Sequence, residues 1–491
     1  MEIEIKLALE TRSANRFKRQ PVLTGLKPAS SRLYSVYFDT PAFDLLRAGV
    51  ALRLRRDGFH WVQTVKARAG SGGVLARRPE WEVKVAGKRP DLEVLPDEAR
   101  RLIPSSSGAD LAPVFETEFR RTAWQVEEGG SLIEVALDRG EIRAGGQAWP
   151  ISEIELELKS GALGDLFALA DRLLADLPVR LEPRSKAQRG YQLAGALPLA
   201  PVKAAMPGLN AEAPASDAFT AIVRACMAQF EANLPGFMQA EEPDPEYVHQ
   251  MRVAMRRLRA ATGLMRFMAR EAPNWVGELR WLMGELSLAR DWDVFVTETL
   301  PRVRERLEQP AVLDALTEAA QGLRRQADDR ARTALASPRL VRLWLAIEQD
   351  LTTTAGTSIS TREWARAALD RRYRQIRRLG SRLDELDPAE RHALRIAGKK
   401  LRYAAEFFAG LHPKAARRFI ATLAGLQDVL GILNDVAVTA HLLQEAKQAG
   451  GQAVWEGAGV VAGFLAREQD LRLAELAHSW QAFRRARPYW R

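Results

Sequence analysis

Residues 2–10, EIEIKLALE, decide the architecture of the first half of this chain. Ile3, Ile5, Leu7 and Leu9 stand on one parity, and Glu2, Glu4 and Lys6 on the other. That two-residue period is a β-strand, so the charged side chains share one face, with the two carboxylates about 6–7 Å apart. Like charges at that spacing repel. A sheet face that keeps them calls for a charged counterpart.

The pattern recurs along the next 150 residues. Arg53 and Arg55 alternate with Leu52 and Leu54, and Thr64 and Lys66 flank Val65. Arg78, Glu80 and Glu82 share one parity in RRPEWEV, as do Thr117, Phe119 and Arg121 in TEFRR. Glu134 and Asp138 do so in IEVALD, and Glu153, Glu155 and Glu157 in SEIELELK. A half-exposed antiparallel sheet also alternates, but here acids gather on some strands and bases on others. Closed into a barrel with these residues inside, the sheet forms a charged tunnel. Its acids suit hard cations such as Mg²⁺ or Mn²⁺, and its bases suit the phosphates such cations carry. A metal-bound polyphosphate satisfies both sets at once.

With 491 residues, 47% of them apolar, the chain has material for two or three domains. Lys and Arg outnumber Asp and Glu by 72 to 62, for a net charge of +10, which favours an anionic partner. The lone cysteine, Cys226, excludes an intrachain disulfide and a cysteine-built zinc cage. No apolar run approaches the roughly 20 residues of a bilayer span, and the charged N-terminus lacks an apolar leader. The expectation is a cytoplasmic protein with no membrane partner.

Turns such as RDGFHW, AGSGGV and DRGEIRAGG punctuate residues 1–195, an antiparallel β region carrying one helix, Ala162 to Leu177. Residues 196–214 read as a Pro- and Ala-rich linker. Residues 215–485 read as all-α and contain a repeat. VHQMRVAMRRLR (248–259) is echoed by RHALRIAGKKLR (391–402), with His249 matching His392 (392 − 249 = 143). Downstream, LARDWDV carries Arg290 and Asp291 where ILNDVAV carries Asp435. At 100° per residue His249, Arg252, Arg256 and Arg259 form a stripe beside the apolar face of their helix. His392, Arg395, Lys399 and Arg402 repeat it, with Lys400 beside them. Packed as a duplicated bundle, the two stripes could converge on one concave surface. Arginines fork phosphate oxygens, whereas the aromatics that stack bases are reduced to Tyr403. The stripes therefore suit inorganic polyphosphate and disfavour nucleic acid.

The ordered set of motifs resembles a known family arrangement. Glu2, Glu4 and Lys6, YFDT at Tyr37, LRLR at Leu52, QTVK at Gln63, RPEWEV at Arg78, EIELELKSG at Glu153 and SKAQRGY at Ser185 resemble a CYTH domain of the triphosphate tunnel metalloenzymes. Residues from about 215 onward resemble a CHAD domain, a helical module associated with polyphosphate. The resemblance implies an α+β protein, an eight-stranded antiparallel barrel followed by a duplicated helical bundle. It implies Mg²⁺ or Mn²⁺ held by Glu2, Glu4, Glu153, Glu155 and Glu157, with Asp138. Lys6, Arg53, Arg55, Lys66, Arg78, Arg121, Lys186 and Arg189 would grip tripolyphosphate, and Lys6, Glu80 and Glu82 would serve the chemistry. The activity implied is hydrolysis of tripolyphosphate to pyrophosphate and phosphate. The alternatives are adenylate cyclase or thiamine triphosphatase activity on the same barrel, or a non-catalytic protein of polyphosphate granules.

Overall fold

In this computed structural model the described residues are 2–67, 74–104, 110–268, 270–353 and 356–491. The chain divides into two compact units, residues 1–201 with 334–353, and residues 202–333 with 354–491.

The first unit is built on ten antiparallel strands: β1 (Glu2–Leu9), β2 (Ala29–Asp39), β3 (Val50–Asp57), β4 (His60–Ala67), β5 (Leu75–Arg78), β6 (Glu80–Val85), β7 (Ala112–Glu128), β8 (Ser131–Ala144), β9 (Gln147–Ser160) and β10 (Val179–Leu181). Their order is β10-β1-β9-β8-β7-β2-β3-β4-β6, with β5 off this path and paired to β1. The expectation is eight strands in a closed barrel; among the described residues there are ten, and their hydrogen-bonded path is not closed. Pro79 is the reason. It separates β5 from β6 and has no N–H to give to a ladder, so one run of chain pairs with β1 through residues 75–78 and with β4 through residues 80–85. The result is a curled, tunnel-like sheet.

Directly opposed residues of an antiparallel pair share a face, and the register carries one charged face across strand after strand. Lys6 stands opposite Glu155 and Glu4 opposite Glu157. Glu157 in turn faces Glu134, and Glu153 faces Asp138. Asp138 stands opposite Arg121, Tyr37 opposite Arg53, Arg53 opposite Thr64, and Lys66 and Thr64 opposite Glu80 and Glu82. The other parity supplies the core, including Ile5, Leu7, Leu52, Leu54, Val65, Leu137, Ile154 and Leu156, all essentially inaccessible. Helix α1 (Leu163–Leu174) buries Leu166, Phe167, Leu169, Ala170 and Leu173. It is shorter than the expected Ala162 to Leu177. Helix α2 (Lys186–Leu193) opens with a capping box in which Ser185 and Gln188 bond each other's backbone N–H.

The second unit contains α3 (Ala215–Gln239), α4 (Pro245–Thr262), α5 (Val276–Val294), α6 (Asp314–Leu335), α8 (Thr361–Leu379), α9 (Pro388–Phe407), α10 (Pro413–Ala449) and α11 (Gln452–Arg485). Helix α3 packs on α4 and α4 on α5, while α8 to α11 pack in succession. Between α6 and α8 lies α7 (Pro338–Thr353), which leaves the helical unit. Its apolar face, Leu340, Trp344, Ile347 and Leu351, is buried, and it packs against α1 and β10. A periodicity reading places α7 with its neighbours in sequence; its apolar stripe is satisfied elsewhere. Helix α10 reaches the length and apolarity of a bilayer span, which the sequence reading did not anticipate, and it packs along α9 and α11.

Candidate functional site

Two ion-pair clusters occupy the charged face of the sheet. In the first, Lys66 on β4 sits between Glu2 (3.0 Å) and Glu80 (2.9 Å). Arg55 reaches Glu82 at 3.0 Å, and Thr64 donates its hydroxyl to the same carboxylate at 3.1 Å. Arg53 lies 3.6 Å from Glu80 and 3.7 Å from Glu82, and it stands opposite Tyr37 in the ladder. Its buried Nε has no hydrogen-bond partner among the described residues.

In the second cluster Asp138, Glu153 and Glu155 offer carboxylate oxygens that all lie within 4.8 Å of one another. Lys186, the first residue of α2, bridges all three, at 2.9, 2.7 and 2.7 Å. Arg121 forks Asp138 at 2.8 and 2.7 Å and also pairs with Glu155. Arg189, one turn after Lys186, pairs with Glu153. Gly190 makes this possible, because a Cβ there would stand 2.1 Å from the Phe115 ring of β7. Phe119 completes the seat, its ring centroid 5.0 Å from the Lys186 ammonium. Tyr191 on the same helix donates to the buried carboxylate of Asp39 at 2.9 Å. That carboxylate also accepts the N–H groups of Thr40, Leu45 and Leu46, so the YFDT motif anchors α2 through Asp39 and sets Tyr37 opposite Arg53.

The charge states follow from burial and neighbours. Burial pushes the Lys186 ammonium down, but Asp138 and Glu155 outweigh it and hold its pKa above the usual lysine range. Burial pushes Glu155 up, but Lys186 and Arg121 hold it well below the usual carboxylate range. Arg189 is pushed down to about 10 by burial, even beside Glu153. Glu4 behaves oppositely to Glu155. Burial, then the charges of Glu155 and Glu2, push it up to about 7 against the opposing pull of Lys66 and Lys6. Among the described residues the carboxylates close enough to share a hard divalent cation are Asp138, Glu153 and Glu155, an all-oxygen donor set, while Glu4 and Glu2 lie outside that triad with their charge felt beside Glu155.

Each sequence-derived candidate has a place. Asp138, Glu153, Glu155, Arg121, Lys186 and Arg189 come together, as do Glu2, Arg53, Arg55, Lys66, Glu80 and Glu82. Lys6 is buried and donates to the Arg184 carbonyl. Glu157 pairs with Lys159 at 2.7 Å and is outside the carboxylate triad. Arg78 stands opposite Glu2 in the ladder, and its side chain lies outside the described residues. Tyr37, Thr64 and Phe119 were missed as site residues; their parity with Arg53, Lys66 and Arg121 was the available signal.

The helical unit draws the two stripes together. Burial and then Arg395, Arg256 and Arg252, opposed in part by Asp435, press the Lys399 ammonium down to about 7. Arg252 is pushed down to about 10 by burial, with Asp291 the one acid opposing it, at 3.9 Å. Arg252, Arg256 and Arg395 each bury an Nε without a partner among the described residues. His249, pushed to about 4 by burial and by Arg290, is neutral at pH 7. Arg402 turns instead to Glu406 (2.8 Å) and Gln427 (3.2 Å). Lys400 lies near Arg372, Arg259 and Arg266 rather than Arg395. His392 is exposed.

Comparison with known proteins follows the same division. The CYTH domain family model matches residues 1–191 and the CHAD domain family model residues 221–444. An inorganic triphosphatase of Haemophilus influenzae is 35% identical over 195 residues, 39% of this chain and 54% of that protein. The chain thus spans about half the length of that relative. An uncharacterized protein of Mycobacterium tuberculosis is 26% identical over 451 residues, covering 85% of this chain and 83% of its own. The crystal structure of the CHAD domain from the plant Ricinus communis matches with a TM-score of 0.53 and 33% identity, over 59% of this chain and 98% of that one.

Proposed function

Because this chain joins a CYTH domain to a CHAD domain, we propose that it hydrolyses inorganic tripolyphosphate to pyrophosphate and phosphate with a divalent metal, and that its helical unit binds polyphosphate. The observation that carries the proposal is the single sheet face on which Lys66, Arg53, Arg55, Arg121, Lys186 and Arg189 meet the carboxylates of Glu80, Glu82, Asp138, Glu153 and Glu155.

Phosphoryl transfer asks mostly for positioning and charge neutralisation. Glu2, Glu4 and Glu155, with Asp138 and Glu153 beside them, would hold Mg²⁺ or Mn²⁺. Such an ion neutralises phosphate oxygens and lowers the pKa of a bound water. The chain's own groups do the rest. Arg53, whose Nε is unsatisfied, and Arg55 and Lys66 grip one end of the substrate, while Arg121, Lys186 and Arg189 grip the other. Each cation exchanges a carboxylate contact for a phosphate contact, so little net charge moves on binding. Glu80 and Glu82 hold Arg53, Arg55 and Lys66 in place before substrate arrives. That makes them positioning residues, with either able to receive the proton of the attacking water.

Phosphate release is to be measured with Mg²⁺ and with Mn²⁺ on tripolyphosphate, pyrophosphate, ATP and thiamine triphosphate. Tripolyphosphate is expected to turn over about tenfold or more faster than pyrophosphate, which forfeits the contacts at one end. Equal rates on the two refute a triphosphate-shaped site, and preference for ATP or thiamine triphosphate assigns the domain to those activities. For the helical unit, charge reversal at Arg252 with Arg395 should weaken long-chain polyphosphate binding more than reversal at Arg304 with Arg306. Salt should weaken it too, since exposed phosphate contacts are screened.

A further inference from the structure

A cavity of about 550 Å³ in the helical unit is lined by Arg266, Arg371, Arg372, Arg374, Arg378 and Lys400, with Gln375. Among the described residues none of these six cations pairs with a carboxylate. Arg372 forms the floor. It is only 7% exposed, gives one N–H to the Gly263 carbonyl at 3.3 Å, and buries its Nε without a partner. Arg266, Arg371, Arg374, Arg378 and Lys400 form an exposed rim.

The internal duplication shows that this charge is not what the packing requires. Helix α8 repeats α3 with Gln375 at the place of Gln229 (375 − 229 = 146), and their N-caps Ser360 and Pro214 pair with each other. Helix α9 repeats α4 with Lys400 at the place of Arg257 (400 − 257 = 143). In the first copy Arg257 is neutralised: it donates to Gln229 at 3.2 Å and to Glu406 at 2.7 Å. It also lies against buried Cys226. In the second copy the equivalent of Cys226 is Arg372, and the equivalent of Glu406 is Gly263. One half of the bundle thus balances its cation, whereas the other adds an arginine and drops the acid. Burial followed by Arg266 and Arg371 presses the Arg372 guanidinium down to about 10, an unfavourable state that a bound anion relieves.

We propose that this cavity is a second anion site, separate from the paired stripes, that takes a compact small molecule carrying three or more clustered phosphates rather than an extended chain. Its cations surround an open cleft with one buried guanidinium at the base, a shape that concentrates charge on a compact ligand. Arginine forks supply bidentate contacts to the phosphates. The chemistry is shared by a short condensed phosphate and a phosphorylated polyol.

Binding to the full chain is to be measured calorimetrically with tripolyphosphate, myo-inositol hexakisphosphate and long-chain polyphosphate, in chelator to suppress metal-dependent binding elsewhere. Arg371→Glu with Arg374→Glu, both on the exposed rim, should weaken compact-anion binding at least about tenfold and leave long-chain binding within about twofold. Arg252→Glu with Arg395→Glu should do the reverse. Gly263→Glu restores the missing acid. Gly263 has helical backbone angles, and its new Cβ would stand 3.1 Å from the movable end of Arg372. This substitution should raise Tm while abolishing compact-anion binding. Whichever of the two small ligands binds more tightly identifies the source. Compact-anion binding insensitive to the rim pair, or loss of long-chain binding equal to loss of compact-anion binding, overturns the proposal; the rim pair decides alone if Gly263→Glu does not fold.

Discussion

The sheet unit and the helical unit both gather buried cations, and they differ in what stands beside them. On the sheet, Lys186 touches three carboxylates and is held above its ordinary pKa. In the helical cluster Lys399 faces Arg395, Arg256 and Arg252 and is held down to about 7. The same residue type is stabilised in one unit and, though less deeply buried, penalised in the other. A balanced site can exchange partners with a metal and its phosphates, while an unbalanced one can only take up anions.

That contrast can be broken most forcefully at Glu4. Glu4→Gln should lower phosphate release from tripolyphosphate by about 10²–10³-fold, the usual scale for losing one preorganised electrostatic group, with polyphosphate binding by the helical unit unchanged. A metal titration checks it; full activity at low metal removes Glu4 from the site.

Deleting a cation should have opposite effects on stability in the two units. Lys186→Met leaves Asp138, Glu153 and Glu155 crowded together, and should cost about 3–5 kcal/mol, as breaking a buried ion pair does. Mg²⁺ should restore part of that loss. Arg252→Met removes a like charge from its cluster and should leave denaturant midpoints unchanged or higher, while weakening polyphosphate binding about tenfold. If both variants destabilise alike, the distinction between balanced and unbalanced clusters fails.

The smallest effect expected is a pH dependence. With its pKa lowered in the folded state, Lys399 is neutral there and charged in the unfolded chain between about pH 7 and its ordinary value. Its cost to stability therefore grows as pH falls toward 7 and is full below that. A bound polyanion restores the charge, so binding takes up a proton in the same window. Affinity should rise by up to about tenfold per pH unit as pH falls to about 7, then level off. Lys399→Met should flatten this slope, and an unaltered slope would place the coupling on another group.

Strand parity was the most legible feature. Glu2, Glu4, Lys6, Arg53, Arg55, Lys66, Arg121, Asp138, Glu153 and Glu155 were all assigned to one face from spacing, because a strand's side-chain period is local and survives any packing. The strand count was less legible, since Pro79 divides one run of chain into two strands whose partners lie far apart in sequence. The matched stripes of α4 and α9 were also legible, as helical phase is local too. Lys400 and Arg402 nonetheless left the stripe, because a residue on its shoulder joins whichever neighbour packs there.

The sequence by itself determined which residues share a face, that a β-rich region precedes a helical one, and that the helical region is duplicated. Only the tertiary structure decided which acid meets which base, that Lys186 caps the carboxylate triad, that α7 belongs to the sheet unit, and that one half of the bundle lacks the carboxylate its twin keeps. The physical reason is range. Backbone periodicity is set over a few residues, whereas charge balance depends on register and packing between segments that can stand more than a hundred residues apart.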